Sequence, residues 1–324
     1  MEQQSDRWFV IVNIYAASRK AGERWAHAEK LLESMGVECE FALTGTAGSA
    51  GTLTMEACRR GCRRFVAVGG DGTVHDVLDA MLSFVDSSSG VVKYSDFTLG
   101  VIPMGSGNDW IKTLGISRNI SDAVAVVAAG KTSRQDVVRV TCLDPQALPE
   151  HKPLFVSYMA NVGGVGIDAR VCHIVNQKKK NGEGGKILYV KALLKAIKER
   201  EASGISVYCD GEQVYRGRYL SIAFGVGKYS GGGMRQTPAA VIDDGLLDMT
   251  LIPDLPMCRI AVEAPKLFTG RFLTVPELVT AKSKSIMVVP EQGDGDLVEV
   301  DGEVVGNAPV LMEVLDGWIN VLVP

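Results

Sequence analysis

The first half of the chain alternates short apolar runs with stretches in which apolar residues recur at helical spacing. The predicted strands lie at 8–15, 37–43, 64–68 and 97–102, and the predicted helices at 22–35, 50–62, 73–84, 108–114 and 121–129. Strand and helix in repeated succession require right-handed crossovers. The pattern therefore predicts a mainly parallel sheet that is covered by helices on both faces.

The pattern changes after about Val138. The later strand-like segments are rich in β-branched residues and are separated by Gly or Asp-Gly turns; they lie at 134–143, 154–161, 205–209, 213–227, 246–253, 285–289 and 297–300. One amphipathic helix, at 186–200, interrupts them. We therefore expect two domains, an α/β domain followed by a mainly antiparallel β domain.

Charge and composition exclude several classes of function. The net charge of −4 gives no sign of a protein that neutralises nucleic-acid phosphates, so we expect no nucleic-acid partner. Apolar runs such as 123–129 are too short to cross a bilayer, and the first residues lack a secretory apolar region, which favours a cytoplasmic or peripheral location. The seven cysteines contain no Cys-x-x-Cys pair, and the histidines lack a His-Glu-x-x-His motif, which disfavours a structural zinc and a zinc hydrolase.

The segment Gly69-Gly70-Asp71-Gly72-Thr73 lies between a predicted strand and a predicted helix. Glycines at such a junction let backbone N–H groups approach a phosphate chain, and the helix N-terminus favours the anion. A carboxylate beside phosphates implies an intervening divalent cation, so Asp71 indicates Mg²⁺ and a nucleoside triphosphate. A turn also explains the Asp-Gly pair, and both explanations stay open for this loop alone.

Two weaker glycine motifs are set aside. Gly130-Lys131-Thr132 ends like a P-loop but follows a helix and lacks the earlier glycine. The segment 164–169 matches a dinucleotide fingerprint, yet no βαβ unit with a ribose-binding acid follows it, so we interpret it as a backbone turn.

A second loop, 103–110, follows the next predicted strand and again opens a helix. Loops after neighbouring parallel strands converge on the crevice where open α/β sheets bind ligands. In this loop Ser106 can bind a phosphate, Asn108 can cap the helix, and Asp109 can orient a basic group or a water molecule.

Four motifs together resemble the catalytic domain of the diacylglycerol kinase family, which includes bacterial soluble lipid kinases and sphingosine kinases. They are GGDGTVHDV (69–77), PMGSGNDW (103–110), YSGGGM with DDGLLD (229–234 and 243–248), and VDGE (300–303). The GSGND spelling is closer to diacylglycerol kinases than to sphingosine kinases. The resemblance implies a nucleotide-binding, NAD-kinase-like α/β domain at 1–138, to which 316–324 returns, and a lipid-binding β-sandwich at 139–315, with ATP in the cleft.

The resemblance also implies roles for individual residues. Asp301 would accept the proton of the lipid hydroxyl, assisted by Asp71 and Glu303 at the nucleotide-metal site. The implied ATP contacts are Asn13, Thr44, Gly69, Gly70, Asp71, Gly72, Thr73, Val74, His75, Ser106 and Glu303. Asp71, Asp109 and Asp136 would form an acidic network that holds metal and water. Asp244 and the carbonyls of Val241 and Leu246 would hold a structural Mg²⁺.

The chain departs from the family pattern in two places. The first loop usually reads Asn-Pro-x-Ser/Ala-Gly, whereas here 13–18 reads Asn-Ile-Tyr-Ala-Ala-Ser. An asparagine often precedes the YSGGGM segment, and Phe224-Gly225-Val226-Gly227 stands there instead.

These observations predict an ATP-dependent lipid kinase that uses Mg²⁺ and a carboxylate base. An alcohol is a poor nucleophile, and a carboxylate can accept its proton as the phosphoryl group moves. Asp301-Gly302 can also be a hairpin turn, and 210–212 repeats the same Asp-Gly-Glu tripeptide; we assign the earlier copy to a turn and the later one to catalysis.

Several alternatives remain. An NAD kinase shares the GGDGT motif, and a catalytically silent nucleotide- or lipid-binding regulator could keep the fold. The acceptor lipid, most simply diacylglycerol, would bind in the β-rich half, and a homodimer is possible. Lys178, Lys179 and Lys180 could attract anionic lipid at the inner face of a membrane, or form a solvated loop.

Overall fold

The computed structural model describes residues 7–14, 21–45, 48–147, 152–180, 186–199, 203–293 and 295–324. The chain divides into two compact units. The first comprises Met1–Val137 with Asp316–Pro324, and the second comprises Val138–Leu315.

The first unit is built from alternating strands and helices. In chain order they are β1 (Trp8–Val12), α1 (Ala21–Ser34), β2 (Cys39–Leu43), α2 (Ser49–Arg59), β3 (Arg64–Gly69), α3 (Asp71–Ser87), β4 (Thr98–Pro103), α4 (Trp110–Leu114), α5 (Ile120–Ala129) and the start of β5 (Thr132–Leu143). A short 3-10 helix, Tyr94–Asp96, precedes β4. The predicted strands and helices of this half are confirmed, with ends that move by a few residues.

The strands of the first unit form a parallel sheet, as predicted. β2, β1, β3 and β4 lie side by side in that order, and the last residues of the chain pair in parallel with β4, where Asn320 lies opposite Thr98. All five residues of β1 are buried, as expected for a strand covered on both faces. α1 and α5 contribute to one apolar cluster with Val10, Val66 and Ile102 of the sheet.

The second unit contains most of the β structure. In chain order its elements are the end of β5, β6 (Pro153–Met159), β7 (Val162–Gly166), α6 (Ile167–Lys180), α7 (Lys186–Lys198), β8 (Gly204–Cys209), β9 (Glu212–Gly225), β10 (Leu247–Pro253), α8 (Met257–Glu263), α9 (Lys266–Thr269), β11 (Val279–Ser283), β12 (Ser285–Pro290), β13 (Leu297–Val300), β14 (Glu303–Asn307) and the start of β15 (Val310–Leu322). Short 3-10 helices lie at Pro145–Ala147 and Phe272–Thr274.

These strands form a sandwich of two antiparallel layers, which confirms the predicted fold class. One layer has the order β14, β13, β7, β9, β10, β11, and the other has β9, β8, β12 and the first residues of β15. β9 belongs to both layers because its first half pairs with β8 and its second half with β7 and β10. A buried cluster that includes Val207 and Ile286 from one layer and Ile222 and Met249 from the other fills the space between them.

The helices of the second unit correct the sequence prediction. A single helix was expected at 186–200, but α6, α8 and α9 are present as well. The segment 164–169, interpreted as a turn, is the end of β7 and the start of α6. Ile167, Val171 and Val175 of α6 pack with Ala192 and Ala196 of α7 in a second apolar cluster.

No helix within the described ranges is long and apolar enough to cross a membrane.

Candidate functional site

The residues predicted to contact a nucleotide lie at one edge of the first unit. Asn13 and Thr44 follow β1 and β2, and the two glycine loops follow β3 and β4. The four strands are neighbours and parallel, so their carboxyl ends share this edge. The amide of Asn13 donates a hydrogen bond to the Thr73 hydroxyl (3.0 Å), which links the end of β1 to the first glycine loop. Residues 15–18 of the unusual first loop lie outside the described residues.

The two glycine loops touch through their backbones. Gly69 and Pro103 are in register on β3 and β4, and the Gly69 carbonyl accepts hydrogen bonds from the N–H groups of Met104 (2.7 Å) and Gly105 (3.0 Å). A Cβ atom added at Gly105 would lie 2.4 Å from the Cα of Gly70. Glycine is required here because two backbones approach within the space of a methyl group.

Asp71 is the first residue of α3 and connects the loops. Its Oδ1 accepts the N–H groups of Asp109 (2.8 Å) and Trp110 (3.3 Å), so its carboxylate caps the start of α4 and also lies in the first turn of α3. The charge of Asp71 therefore has partners within the chain. The Mg²⁺ inferred from that charge alone stays a proposal.

The side chains of the second loop differ in part from the prediction. Asn108 has φ 50° and does not cap α4; its amide donates to the Gly105 carbonyl (2.8 Å), and the N-cap residue of α4 is Asp109. The Asp109 carboxylate lies 2.5 Å from Lys112 Nζ, and its predicted role of orienting a basic group stays a prediction. Asp136 is buried in β5, and its place in an acidic network stays a prediction.

The residues predicted to contact a nucleotide from these loops differ in the exposure of their side chains. Ser106 is exposed, whereas the side chains of Val74 and His75 are buried in α3. Only the backbone of those two residues could face a ligand at the loop.

Two arginines that sequence reasoning missed hold the second loop. Arg24 donates to the Pro103 carbonyl (3.2 Å), and Arg118 donates to the carbonyl of Ser106 (2.9 Å). Their guanidinium groups place positive charge beside the loops, where phosphate would bind. Neither residue lies in a recognisable motif, so no sequence signal indicated them.

We expect Gly105→Ala to lower ATP affinity at least 10-fold, because the added methyl group must push the two loops apart. Isothermal titration with ATP checks this. Gly22→Ala, at an exposed helical position with no atom within 4 Å of the new Cβ, is the matched control and should bind ATP as the native chain does. Native-like ATP affinity in Gly105→Ala would contradict the assignment of the loops.

In the second unit, Asp301 and Gly302 form the tight turn between β13 and β14. Both have positive φ, 51° and 92°, as the two central residues of a type I′ hairpin require. The Asp301 carboxylate accepts the N–H groups of Ala160 (3.0 Å) and Asn161 (2.9 Å), one on each oxygen. These two hydrogen bonds fix the orientation of the Asp301 carboxylate.

The repeated tripeptide adopts the same turn. Asp210 and Gly211 have φ 48° and 86°, and the Asp210 carboxylate accepts the N–H groups of Lys284 (3.1 Å) and Ser285 (2.9 Å). The turn explanation therefore holds for both copies. What distinguishes Asp301 is its surroundings, because Asp210 is exposed.

The Asp301 turn contacts α6, a helix that the sequence did not predict. Cys172 donates to the Gly302 carbonyl (2.7 Å), and the Asn176 amide donates to the same carbonyl (3.0 Å) and to Glu303 (3.2 Å). On the other side, the Asn161 amide donates to the Tyr229 carbonyl (2.7 Å) of the YSGGGM segment. The VDGE and YSGGGM motifs of the second unit thus lie together.

Asn161 also accounts for the second departure from the family pattern. A Cβ atom at Gly227 would lie 2.0 Å from Asn161 Oδ1, so the glycine makes room for this amide. An asparagine from the connection between β6 and β7 therefore lies against the segment in which the family often has one.

Sequence reasoning also missed a buried carboxyl beside the turn. Glu299 is 6% exposed and accepts the Gly302 N–H (2.9 Å). Burial raises the pKa of Glu299 well above its usual range; the Gly302 N–H opposes this, and the neighbouring carboxyl groups of Asp168, Asp301 and Glu303 add to it. Glu299 therefore binds its proton more tightly than an exposed glutamate does.

This raised pKa predicts a pH dependence of stability. Between the unfolded and folded pKa values the folded chain binds more protons than the unfolded chain, so stability falls as pH rises, by about 1.4 kcal/mol per pH unit within that window. Glu299→Gln should flatten the fall in melting temperature between pH 5 and pH 8, measured by differential scanning calorimetry. Equal slopes in both proteins would contradict a proton held at Glu299.

The predicted structural metal site contains a lysine. Asp244 Oδ1 accepts the Leu246 N–H (3.1 Å), and Lys282 Nζ lies 3.2 Å from Asp244 and 3.1 Å from Asp248. Both Asp244 oxygens thus have donors, and an ammonium group already offsets the charge. These residues fit a Mg²⁺ ion poorly, and no group of three His, Cys, Asp or Glu side chains in the described part of the chain could hold a metal.

An apolar cavity lies within the second unit. It is lined by α6, α7, β9, β10 and the segment from α8 to β11. Leu193 and Ile197, part of the stripe predicted for α7, contribute to its wall. Most lining side chains are apolar, as in cavities that bind apolar ligands.

Comparisons with known proteins agree for both units. Residues 7–140 match the family model "Diacylglycerol kinase catalytic domain", and residues 161–323 match "YegS C-terminal NAD kinase beta sandwich-like domain". A Stenotrophomonas maltophilia protein named "Probable lipid kinase YegS-like" is 25% identical over 98% of this chain and 96% of its own length. "Probable lipid kinase YegS" of Salmonella arizonae is 29% identical over 68% of this chain and 67% of its own.

A solved structure has the same fold. The structure described as a diacylglycerol kinase from Bacillus anthracis covers 100% of this chain and 98% of its own, with a TM-score of 0.71 and 19% identity.

Proposed function

Because the chain belongs to the diacylglycerol kinase catalytic-domain family and carries the YegS-type C-terminal domain, we propose that it is an ATP-dependent lipid kinase whose acceptor is diacylglycerol. The reaction would transfer the γ-phosphate of ATP to the lipid hydroxyl. The apolar cavity of the second unit carries this proposal, since a lipid chain needs such a cavity and the substrate of an NAD kinase does not.

The first unit supports the nucleotide part of the proposal. The start of α3 and the joined glycine loops offer backbone N–H groups and a helix N-terminus to an anion. Ser106 is exposed on the second loop, and Arg24 and Arg118 add positive charge behind it. Mg²⁺, when bound, would offset charge on the phosphates, and the Asp71 carboxylate is its candidate holder in this unit, because Asp109 is paired with Lys112.

The turn of the second unit supports the role of base for Asp301. Two backbone N–H groups fix its carboxylate, and Cys172 and Asn176 fix the turn itself. A carboxylate held in one orientation can accept the hydroxyl proton as the oxygen bonds to phosphorus. Glu303, two residues after Asp301, accepts a hydrogen bond from the Asn176 amide.

The proposed phosphoryl transfer would take place at a membrane surface. Ile260, Glu263 and Leu267 of α8 and α9 line the cavity, and Val262 and Phe268 on the same helices are 66% and 59% exposed. Exposed apolar side chains beside a lipid cavity fit the interface of a bilayer. Lys178 is exposed on α6, whereas the side chains of Lys179 and Lys180 lie outside the described residues.

The function is tested by incubating the protein with radiolabelled ATP, Mg²⁺ and an extract of mixed lipids, and identifying the labelled product. We expect label in phosphatidic acid. NAD is offered in a parallel reaction and should remain unlabelled. Labelled NADP without labelled lipid would establish the NAD kinase alternative, and no transfer to any acceptor would favour a silent regulator.

The role of Asp301 is tested by Asp301→Asn. Asparagine before glycine keeps the turn but cannot take the proton, so kcat should fall about 100-fold or more while ATP affinity stays within about 3-fold. Asp210→Asn is the matched control, because the same change in a turn of the same backbone conformation, at an exposed position, should leave kcat unchanged. Full activity of Asp301→Asn would show that Asp301 is not the catalytic base.

A further inference from the structure

The cavity wall contains two carboxyl groups in very different surroundings. Glu263 lies 2.7 Å from Arg259 Nη1 and 2.5 Å from Lys266 Nζ, so two cations offset its charge. Arg259 lies on α8 and Lys266 lies on α9. The Arg259 guanidinium also donates two hydrogen bonds to the Glu277 carboxylate. Glu263 thus belongs to an ion-pair network that stabilises the wall of the cavity.

Asp168 is held by neutral groups instead. The Ser221 hydroxyl donates to Asp168 Oδ2 (2.5 Å), and the Gln236 side chain donates a second hydrogen bond. Gln236 Oε1 accepts from the Ser230 hydroxyl, which fixes the amide so that its nitrogen points to Asp168. The orientation of the Asp168 carboxyl is therefore set without a cation.

These groups form one polar patch on the cavity wall. Asp168, Ser221 and Gln236 all line the cavity, and the wall around them is apolar, with Ile167 and Leu220 as neighbours along the chain. A ligand that fits has a long apolar body with one hydrogen-bonding group at a defined position. The two cations of Glu263 account for that acid, whereas the carboxyl of Asp168 has the neutral partners Ser221 and Gln236.

The charge of this patch distinguishes between classes of lipid. Burial raises the pKa of Asp168, against the opposing hydrogen bonds of Ser221 and Gln236, and favours the neutral acid. A neutral carboxyl can donate to an ester or hydroxyl oxygen. A neutral carboxyl gives an ammonium group no ion partner, and the other carboxyl of the wall, Glu263, is already paired with Arg259 and Lys266.

We propose that Asp168, positioned by Ser221 and Gln236, binds an uncharged oxygen of the acceptor next to its acyl chain, and so selects a neutral glycerolipid over a sphingoid base. This rests on the proposed lipid kinase function and assigns its acceptor specificity. Asp168 acts in binding, so its loss affects the affinity for the lipid and leaves the affinity for ATP unchanged.

The experiment compares Asp168→Asn and Asp168→Leu with the native chain. The probes are a short-chain diacylglycerol with a fluorescent acyl label and sphinganine with the same label, bound in detergent micelles without ATP. We expect native protein and Asp168→Asn to bind labelled diacylglycerol within about 3-fold of each other, and Asp168→Leu to bind it about 10-fold more weakly, as for one lost hydrogen bond. Asp254→Asn, outside the cavity, is the control and should bind as the native chain does.

Kinetics supply the second measurement. In Asp168→Leu the KM for diacylglycerol should rise about 10-fold while the KM for ATP stays the same. Ser221→Ala, which removes one hydroxyl group from the patch, should move the lipid KM in the same direction by a smaller factor and serves if the leucine variant fails to fold. Equal lipid affinity in the native chain and these variants, or tighter binding of sphinganine that Asp168→Asn abolishes, would overturn the proposal.

Together, the phosphorylation and binding experiments distinguish failure of the proposed kinase function from failure of the Asp168 assignment. If no lipid is phosphorylated but labelled diacylglycerol binds and Asp168→Leu weakens it, the kinase function fails and the assignment of Asp168 stands. If diacylglycerol is phosphorylated and Asp168→Leu matches the native chain in lipid affinity and lipid KM, the assignment of Asp168 fails alone.

Discussion

The nucleotide edge of the first unit depends on the contact between Gly70 and Gly105. A methyl group at Gly105 would lie 2.4 Å from the opposing Cα atom, so the two loops can approach only without side chains. That approach lets the Asp71 carboxylate reach the N–H groups at the start of α4, 2.8 Å from the first of them. One steric requirement thus sets the positions of both loops and of the helix N-terminus between them.

In the second unit, a turn that is common in proteins becomes a candidate catalytic group through its neighbours. Asp210 and Asp301 share backbone conformation and the pattern of two accepted N–H groups. They differ in what surrounds them, since Asp301 stands beside the buried Glu299 and against α6. Local sequence determines the turn, and tertiary packing determines whether its carboxylate can act on a substrate.

The sequence predicted features that local patterns determine. The alternation of strands and helices predicted the parallel sheet, and the glycines at the ends of two strands predicted both loops. Asp168 was missed because it lies in a segment that was interpreted as a turn. Glu299 was missed because it is one polar residue among the apolar residues of a strand. α6 carries apolar residues at helical spacing, but the preceding glycines obscured its start, whereas α8 and α9, with 7 and 4 residues, are too short for periodicity to indicate them.

The residues that the sequence did not indicate are those that would recognise the acceptor. The motifs shared with the family concentrate on the loops and the Asp301 turn, where the chemistry of phosphoryl transfer restricts the choice of residue. The cavity wall needs mainly apolar volume, which many side chains supply, so its lining carries no motif. A buried acid is the exception, since it is costly unless it has partners. Asp168 and Glu263 are therefore positions in this wall at which chemistry, and not volume alone, restricts the residue.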